Sequence, residues 1–322
     1  MIGLQDINID HYLKMERGSF DNCLFFYKNW SDCAMYVKRL QKTQLPLHLM
    51  LLPSVIVLTI FSYGPLFGLV IAFKDFTPAK GIMGSPWSGL DNFRYLFHLP
   101  DTFQVIWNTI VIAVLKIISN LCFPIIIALL INEIRRQIVK KSIQTLIYLP
   151  HFLSWVLLSG ILIDILSPSS GIVNQLLGLF GIKPIYFLGD NRWFRAVLVS
   201  TDVWKEFGFS TIVYLAALTN INPSLYEAAV MDGANRWKQT LHVTLPGMIP
   251  IIILVATLSL GNVLNAGFDQ VFNLYSTQVY QTGDIIDTFV YRIGLIESQF
   301  GVATAVGLFK SLVSTLLISV SY

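Results

Sequence analysis

The sequence predicts an all-α polytopic membrane protein, and three observations carry that expectation. Of its 322 residues, 54% are hydrophobic and only 13% charged, whereas soluble domains carry about a quarter charged residues. Mean hydropathy is +0.64. Six segments are apolar over, or nearly over, the roughly 20 residues a helix needs to cross hydrocarbon; they lie at about 47–73, 105–131, 143–166, 196–218, 248–266 and 303–320.

Before these spans lies a leader, residues 1–45. It interleaves Lys14, Arg17, Lys28, Lys38, Arg39 and Lys42 with aromatics such as Phe25, Phe26, Tyr27 and Trp30. It holds no apolar run ending in a small-residue cleavage site, so it reads as a cytoplasmic segment ahead of a transmembrane domain over 46–322. The first three spans are plain. The fourth is interrupted by Asp202, Lys205 and Glu206, and the sixth reaches the chain end without a charged stop.

With the N-terminus inside, twelve of the 22 basic residues fall in inner segments, seven in outer loops and three within spans. That bias places both termini in the cytoplasm of a multi-pass inner (plasma) membrane protein. The net charge of +3 is small and its cations form no stripe, so nucleic acid is not an expected partner. Cys23, Cys33 and Cys122 match neither a disulfide framework nor a zinc spacing, and the five histidines show no ligand spacing. No metal, cofactor or catalytic residue is expected. No G-x-x-x-x-G-K-[ST] phosphate loop is present either, so any nucleotide binds another polypeptide.

The segment YEAAVMDGANRWKQTLHVTLP (226–246) is the most polar long stretch of the second half, and this topology puts it in the inner loop between spans four and five. Asn222 can cap a helix with Pro223 at its first position, or Ser224 and Glu227 can form a capping box. Gly233 supplies a left-handed turn, and 234–243 restarts a helix that Pro246 is expected to stop. The expected product is a helix-turn-helix over 222–246, two short helices joined at a glycine and lying beneath the membrane.

At these residues the chain resembles the membrane-spanning subunits of bacterial ABC importers. Glu227-Ala228-Ala229, Gly233, Val243, Leu245 and Pro246 match their EAA signature. The stretches YLPHFLSWV, LSPSSGIVNQLLGLFGI, NAGFDQVFNLY and ATAVGLFKS look like the carbohydrate, maltose-permease-like branch. They resemble above all its importers of oligosaccharides from polysaccharides such as alginate. The likeness covers about 40–320; one departure is the end at Ser321-Tyr322, where such chains usually continue into a basic tail.

The resemblance implies the type I ABC importer permease fold. It implies a transport subunit with no ATPase site of its own, with ATP and Mg on a partner. It also implies that Glu227, Ala228, Ala229, Asp232, Gly233 and Ala234 dock an ATP-binding subunit. The implied partners are a second homologous permease chain, two ATP-binding subunits, an extracytoplasmic solute-binding protein, and an oligosaccharide, best an acidic, alginate-type one.

Polar residues inside spans are costly and default to functional roles. Asn108 and Lys116 share a face of the second span, and Asp202 and Lys205, three apart beside Trp204, are expected to pair. Asn262, Asn265 and Asp269 form an expected stripe on the fifth. Such groups suit a water-filled path for a hydroxyl-rich ligand, or else interhelical hydrogen bonding. Lys310 reads as snorkelling or paired, His151 as capping or packing, and Asp284 and Asp287 as solvated rather than contacting a sugar-delivering protein. An ion-coupled secondary transporter, with Asp202, Lys205 and Asp269 as relay, is the competing expectation; it leaves 226–246 unexplained.

Overall fold

A computed structural model describes residues 48–321 except Asn262. The leader 1–45 therefore lies outside the described residues. The chain divides into two compact units, Met1–Gly68 and Leu69–Tyr322. In the first, the described residues belong to helix α1 (His48–Phe73) and are exposed apart from the half-buried Gly64 and Gly68. A π-turn at Thr59–Tyr63 precedes Gly64-Pro65.

Among its described residues the second unit consists of helices joined by turns and loops, with one isolated bridge between Lys74 and Trp87. Its main helices are α2 (Asp91–His98), α3 (Thr102–Asn132), α4 (Gln137–Tyr148), α5 (Trp155–Ile165), α6 (Ile172–Leu179), α7 (Phe194–Thr219), α8 (Pro223–Met231), α9 (Arg236–Leu260), α10 (Phe268–Leu274), α11 (Ile286–Tyr291) and α12 (Phe300–Ser321). Among the described residues α1, α3, α9 and α12 are long and apolar enough to cross a membrane. α7 has the length, at 26 residues, but its charged residues dilute its apolarity.

Three expectations need correction. The third span is not one helix: α4, continued by a 3-10 turn over Leu149–Phe152, meets α5 at 101°. Pro150 disfavours helix in the residue before it, and Ser154, in extended conformation, starts a new helix by accepting from the Leu157 N–H. The fifth span ends at Leu260 rather than Ala266, and Gly267 takes a left-handed φ of 90° just before α10. Pro246 stops nothing, because α9 runs through it. A π-turn over Thr240–Thr244 immediately upstream absorbs the proline's missing N–H and the clash of its ring with the preceding turn.

α7 is the central element. Phe194, Val197 and Leu198 pack with Ile112 and Ala113 of α3, Leu158 and Leu162 of α5, and Val271 and Leu274 of α10. At its other end Tyr214 and Leu218 pack with Ala128 and Met248. Leu96, Val105, Ile286, Phe289 and Val302 form a separate core joining α2, α3, α11 and α12. α7 comes so close to the end of α4 that a Cβ on Gly208 would lie 1.9 Å from the Ile147 carbonyl oxygen. Backbone cannot yield as a side-chain tip can. Gly208→Ala is therefore expected to cost about 1–3 kcal/mol of stability, read as a lowered unfolding midpoint of the detergent-purified protein.

Candidate functional site

Polar side chains gather in three regions of this otherwise apolar molecule: the 222–246 element, the middle of α7, and the end of the bundle around Asn108 and Asp284. The element is built as its sequence suggests. The Asn222 side chain accepts from the Ser224 N–H, at 3.0 Å, with Pro223 in the first helical position; this is the first of the two caps weighed, not the capping box. α8 ends at Gly233, φ +75°, where the Ala234 N–H reaches the Ala229 carbonyl at 2.9 Å. Asn235 caps α9 through the Lys238 N–H.

Rigid caps at both ends are matched by bare faces. No residue of α8 is buried. Glu227, Ala228, Asp232 and Gly233 are exposed, and Ala229 and Ala234 half-buried. Met231 is 86% and Trp237 74% exposed. A polar cleft lined by Asn132, Glu133, Arg135, Tyr226, Arg236 and Gln239 separates the element from the end of α3. Arg236 and Glu133 approach to 3.8 Å across it.

At the middle of the bundle Asp202 and Lys205 do not pair with each other, contrary to expectation. They sit three apart on α7, but each has a closer partner on another element. The Asp202 carboxylate takes Lys116 of α3 at 3.1 Å and the Asn120 amide at 2.8 Å. Lys116 also donates to the Ala266 carbonyl and to Gln270. Gln270, fully buried, donates in turn to the Leu198 carbonyl and the Thr201 hydroxyl.

Lys205 is held by Glu206, at 3.1 Å, and by the His151 carbonyl, at 2.8 Å. The His151 ring lies 2.8 Å from the other Glu206 oxygen and stacks on Phe209 with centroids 4.1 Å apart. His151 and Glu206 remain about a third exposed, and Trp204, two residues before Glu206 on α7, is 44% exposed. The expected stripe on the fifth span is absent as a helical stripe. Asn262 lies outside the described residues, Asn265 falls in the non-helical break, and Asp269 opens α10; both of the latter are exposed.

A third network closes the far end. Asn108 is fully buried and spends its amide on the Gln281 and Asp284 carbonyls while accepting from Arg195. Asp284 and Asp287, expected to be solvated, are both paired. Asp284 is 2% exposed and takes Arg292 at 2.7 Å and the Thr288 hydroxyl; Asp287 takes Lys310. Burial raises the Asp284 carboxyl above its usual range, against the pull of Arg292 and Thr288. Burial, then the neighbouring Tyr280, pushes the Tyr275 hydroxyl up to about 12. The role of Gln270 was not anticipated: nothing in its local sequence distinguishes a buried bridge from a surface amide. Among the described residues no group of three His, Cys, Asp or Glu side chains is arranged to hold a metal.

Residues 120–321 match the family described as binding-protein-dependent transport system inner membrane component. The polygalacturonan/rhamnogalacturonan transport system permease protein YteP of Bacillus subtilis is 42% identical over 292 residues, covering 91% of this chain and 90% of its own. A crystallised bacterial ABC transporter involved in the import of the acidic polysaccharide alginate contains a chain 39% identical, with a TM-score of 0.82, covering 89% of this chain and 96% of that one. The alginate transporter bound to an alginate pentasaccharide-loaded periplasmic protein matches at 39% identity and TM-score 0.80, over 87% of this chain and 93% of that one.

Because Lys116 is 6% exposed, removing its anion strands a charge. Asp202→Ala is expected to cost about 3–5 kcal/mol, measured as a drop in the denaturant midpoint of the purified protein.

Proposed function

The chain belongs to the binding-protein-dependent transport system inner membrane component family, and on that premise we propose that it forms one half of the translocation path of an ATP-driven oligosaccharide importer, driven through the 222–246 element. At the coarser level it is a permease subunit of a carbohydrate ABC importer with the type I permease fold, an integral membrane protein of a family without an ATPase site of its own. That family works with a substrate-binding protein, ATPase subunits and a paired permease.

One observation carries the coupling role. α8 has no buried residue, yet its start is capped by Asn222 and its end turned by Gly233, and the chain continues into α9. A helix that buries nothing in its own chain, with Leu225 at 52%, Val230 at 58% and Met231 at 86% exposure, is fitted to be covered by another. Glu227, Ala228, Ala229, Asp232, Gly233 and Ala234 form that docking surface, with small residues admitting a closely packed ATPase. The excess of basic residues in the inner segments supports a cytoplasmic placement of this element. A rigid-body push on α8 passes into α9 and from there into the bundle.

The path runs along the exposed polar side of α7. Glu206 is the thirteenth of the 26 residues of α7, and an ionisable side chain a third exposed at mid-helix cannot face hydrocarbon. His151, Glu206, Asn265 and Asp269 offer donors and acceptors to a saccharide, and the His151 ring an aromatic face. An acidic, alginate-type oligosaccharide is the favoured substrate, supported by the likeness to the alginate transporter and to the permease named for polygalacturonan and rhamnogalacturonan. The lysines within the helices do not contribute to that preference, since Lys116, Lys205 and Lys310 each have a carboxylate partner. An ion relay through Asp202, Lys205 and Asp269 has no support in the pairing, because Asp202 is bonded across to α3 and Lys205 to Glu206.

The test is reconstitution of the chain with its partner permease, ATPase subunits and binding protein in liposomes. Uptake of acidic oligosaccharides is expected to require ATP and to survive a protonophore; uptake that ignores ATP and collapses with the proton gradient would refute the reading. Gly233→Leu, strained at a positive φ, is expected to lower uptake on the order of tenfold while the assembly still purifies intact. Glu206→Gln is expected to raise the KM for saccharide about tenfold or more, as loss of one charged hydrogen bond of about 1.5–3 kcal/mol implies.

A further inference from the structure

Lys116 has three N–H donors, and three acceptors meet them: Asp202 Oδ1, the Ala266 carbonyl and Gln270 Oε1. With 6% of its surface exposed, the ammonium has nothing left to offer a passing hydroxyl. Its bonds go instead to the one place where the backbone leaves helical geometry between α9 and α10. Ala266 is fully buried, so its carbonyl, freed by the break, must find a donor within the protein. Lys116 supplies it for Ala266.

Two further observations converge on the same point. Gly267, next in the chain, holds φ at 90°, and a Cβ there would come 2.8 Å from Lys116 Nζ. Gln270, one turn into α10, accepts from Lys116 and donates to Leu198 and Thr201 of α7. The break is thus bonded at once to α3 and to α7, while α9, which begins at the docking element, ends six residues before Ala266.

We propose that Lys116 is a positioning residue that clamps the α9–α10 break, so that displacement of α9 is delivered to α3 and α7 rather than absorbed in a loose joint. This rests on the reading of 222–246 as the docking element for an ATPase. A clamp and a substrate contact predict different kinetics: loosening the clamp lowers transport per ATP hydrolysed at unchanged KM, whereas losing a ligand contact raises KM.

The experiment uses the full reconstituted complex and compares three forms, wild type, Lys116→Gln with Asp202→Asn, and Gly267→Ala. The paired amides remove both charges together and leave no stranded ion. Gly267→Ala removes no charge and carries the test if the double variant fails to assemble. Each variant is expected to hydrolyse ATP within about twofold of wild type while moving roughly tenfold less saccharide per ATP, with KM unchanged. Wild-type transport per ATP in both assembled variants would overturn the clamp, as would a raised KM with an unchanged ratio. A wild-type complex that shows no ATP-driven uptake would instead strike at the proposed function, so the two failures are distinguishable.

Discussion

The contact between the Lys116 ammonium and the Asp202 carboxylate sets the terms for the rest of the bundle. Where little water reaches, a lone charge is too costly to keep, and a charge once placed dictates what must surround it. Asp202 fixes α3 against α7, Lys116 then has two donors to spend, and these secure Ala266 and Gln270. A stretch of backbone that would otherwise have no place in a membrane is held by that one side chain. Lys205 with Glu206, Arg292 with Asp284 and Lys310 with Asp287 repeat the rule elsewhere. Among the described residues, Lys116, Lys205, Arg292 and Lys310 each meet a carboxylate.

Local signals were legible in the sequence and long-range partnerships were not. Asn222, Pro223 and Gly233 act within a few residues of themselves, so α8 could be drawn from the sequence with its cap and its turn. Pro150 and Ser154 carried an equally local message, a helix ended and restarted, but averaging apolarity over a window hides it. Pro246 misled for a subtler reason. A proline costs a helix one hydrogen bond and a clash with the preceding turn, and at Pro246 the widened turn over Thr240–Thr244 accommodates both.

Pairing was where sequence reasoning met its limit. Asp202 and Lys205 share a helix face and looked like partners, but a neighbour on another helix can approach a carboxylate head-on, whereas residues on one helix must bend towards each other. Lys116 and Gln270 lie far from Asp202 in sequence, and only folding brings them together. The same applies to Asp284, whose burial against Arg292 and Thr288 could not be read from a loop that looks merely polar. Trp204, Asn265 and Asp269 remain exposed, whereas Asn108 and Lys116 are enclosed.

The widened turn at Thr240–Thr244 has a consequence of its own. It carries one more residue than an ordinary turn, and each residue of an α-helix advances about 100° around the axis. Deleting a single residue there would swing everything upstream, Trp237 and Met231 included, by about a quarter of a rotation without altering any side chain. The compass bearing of α8 is therefore written in a count of residues. A one-residue insertion or loss there would re-aim its exposed face while the bundle itself stays as it is.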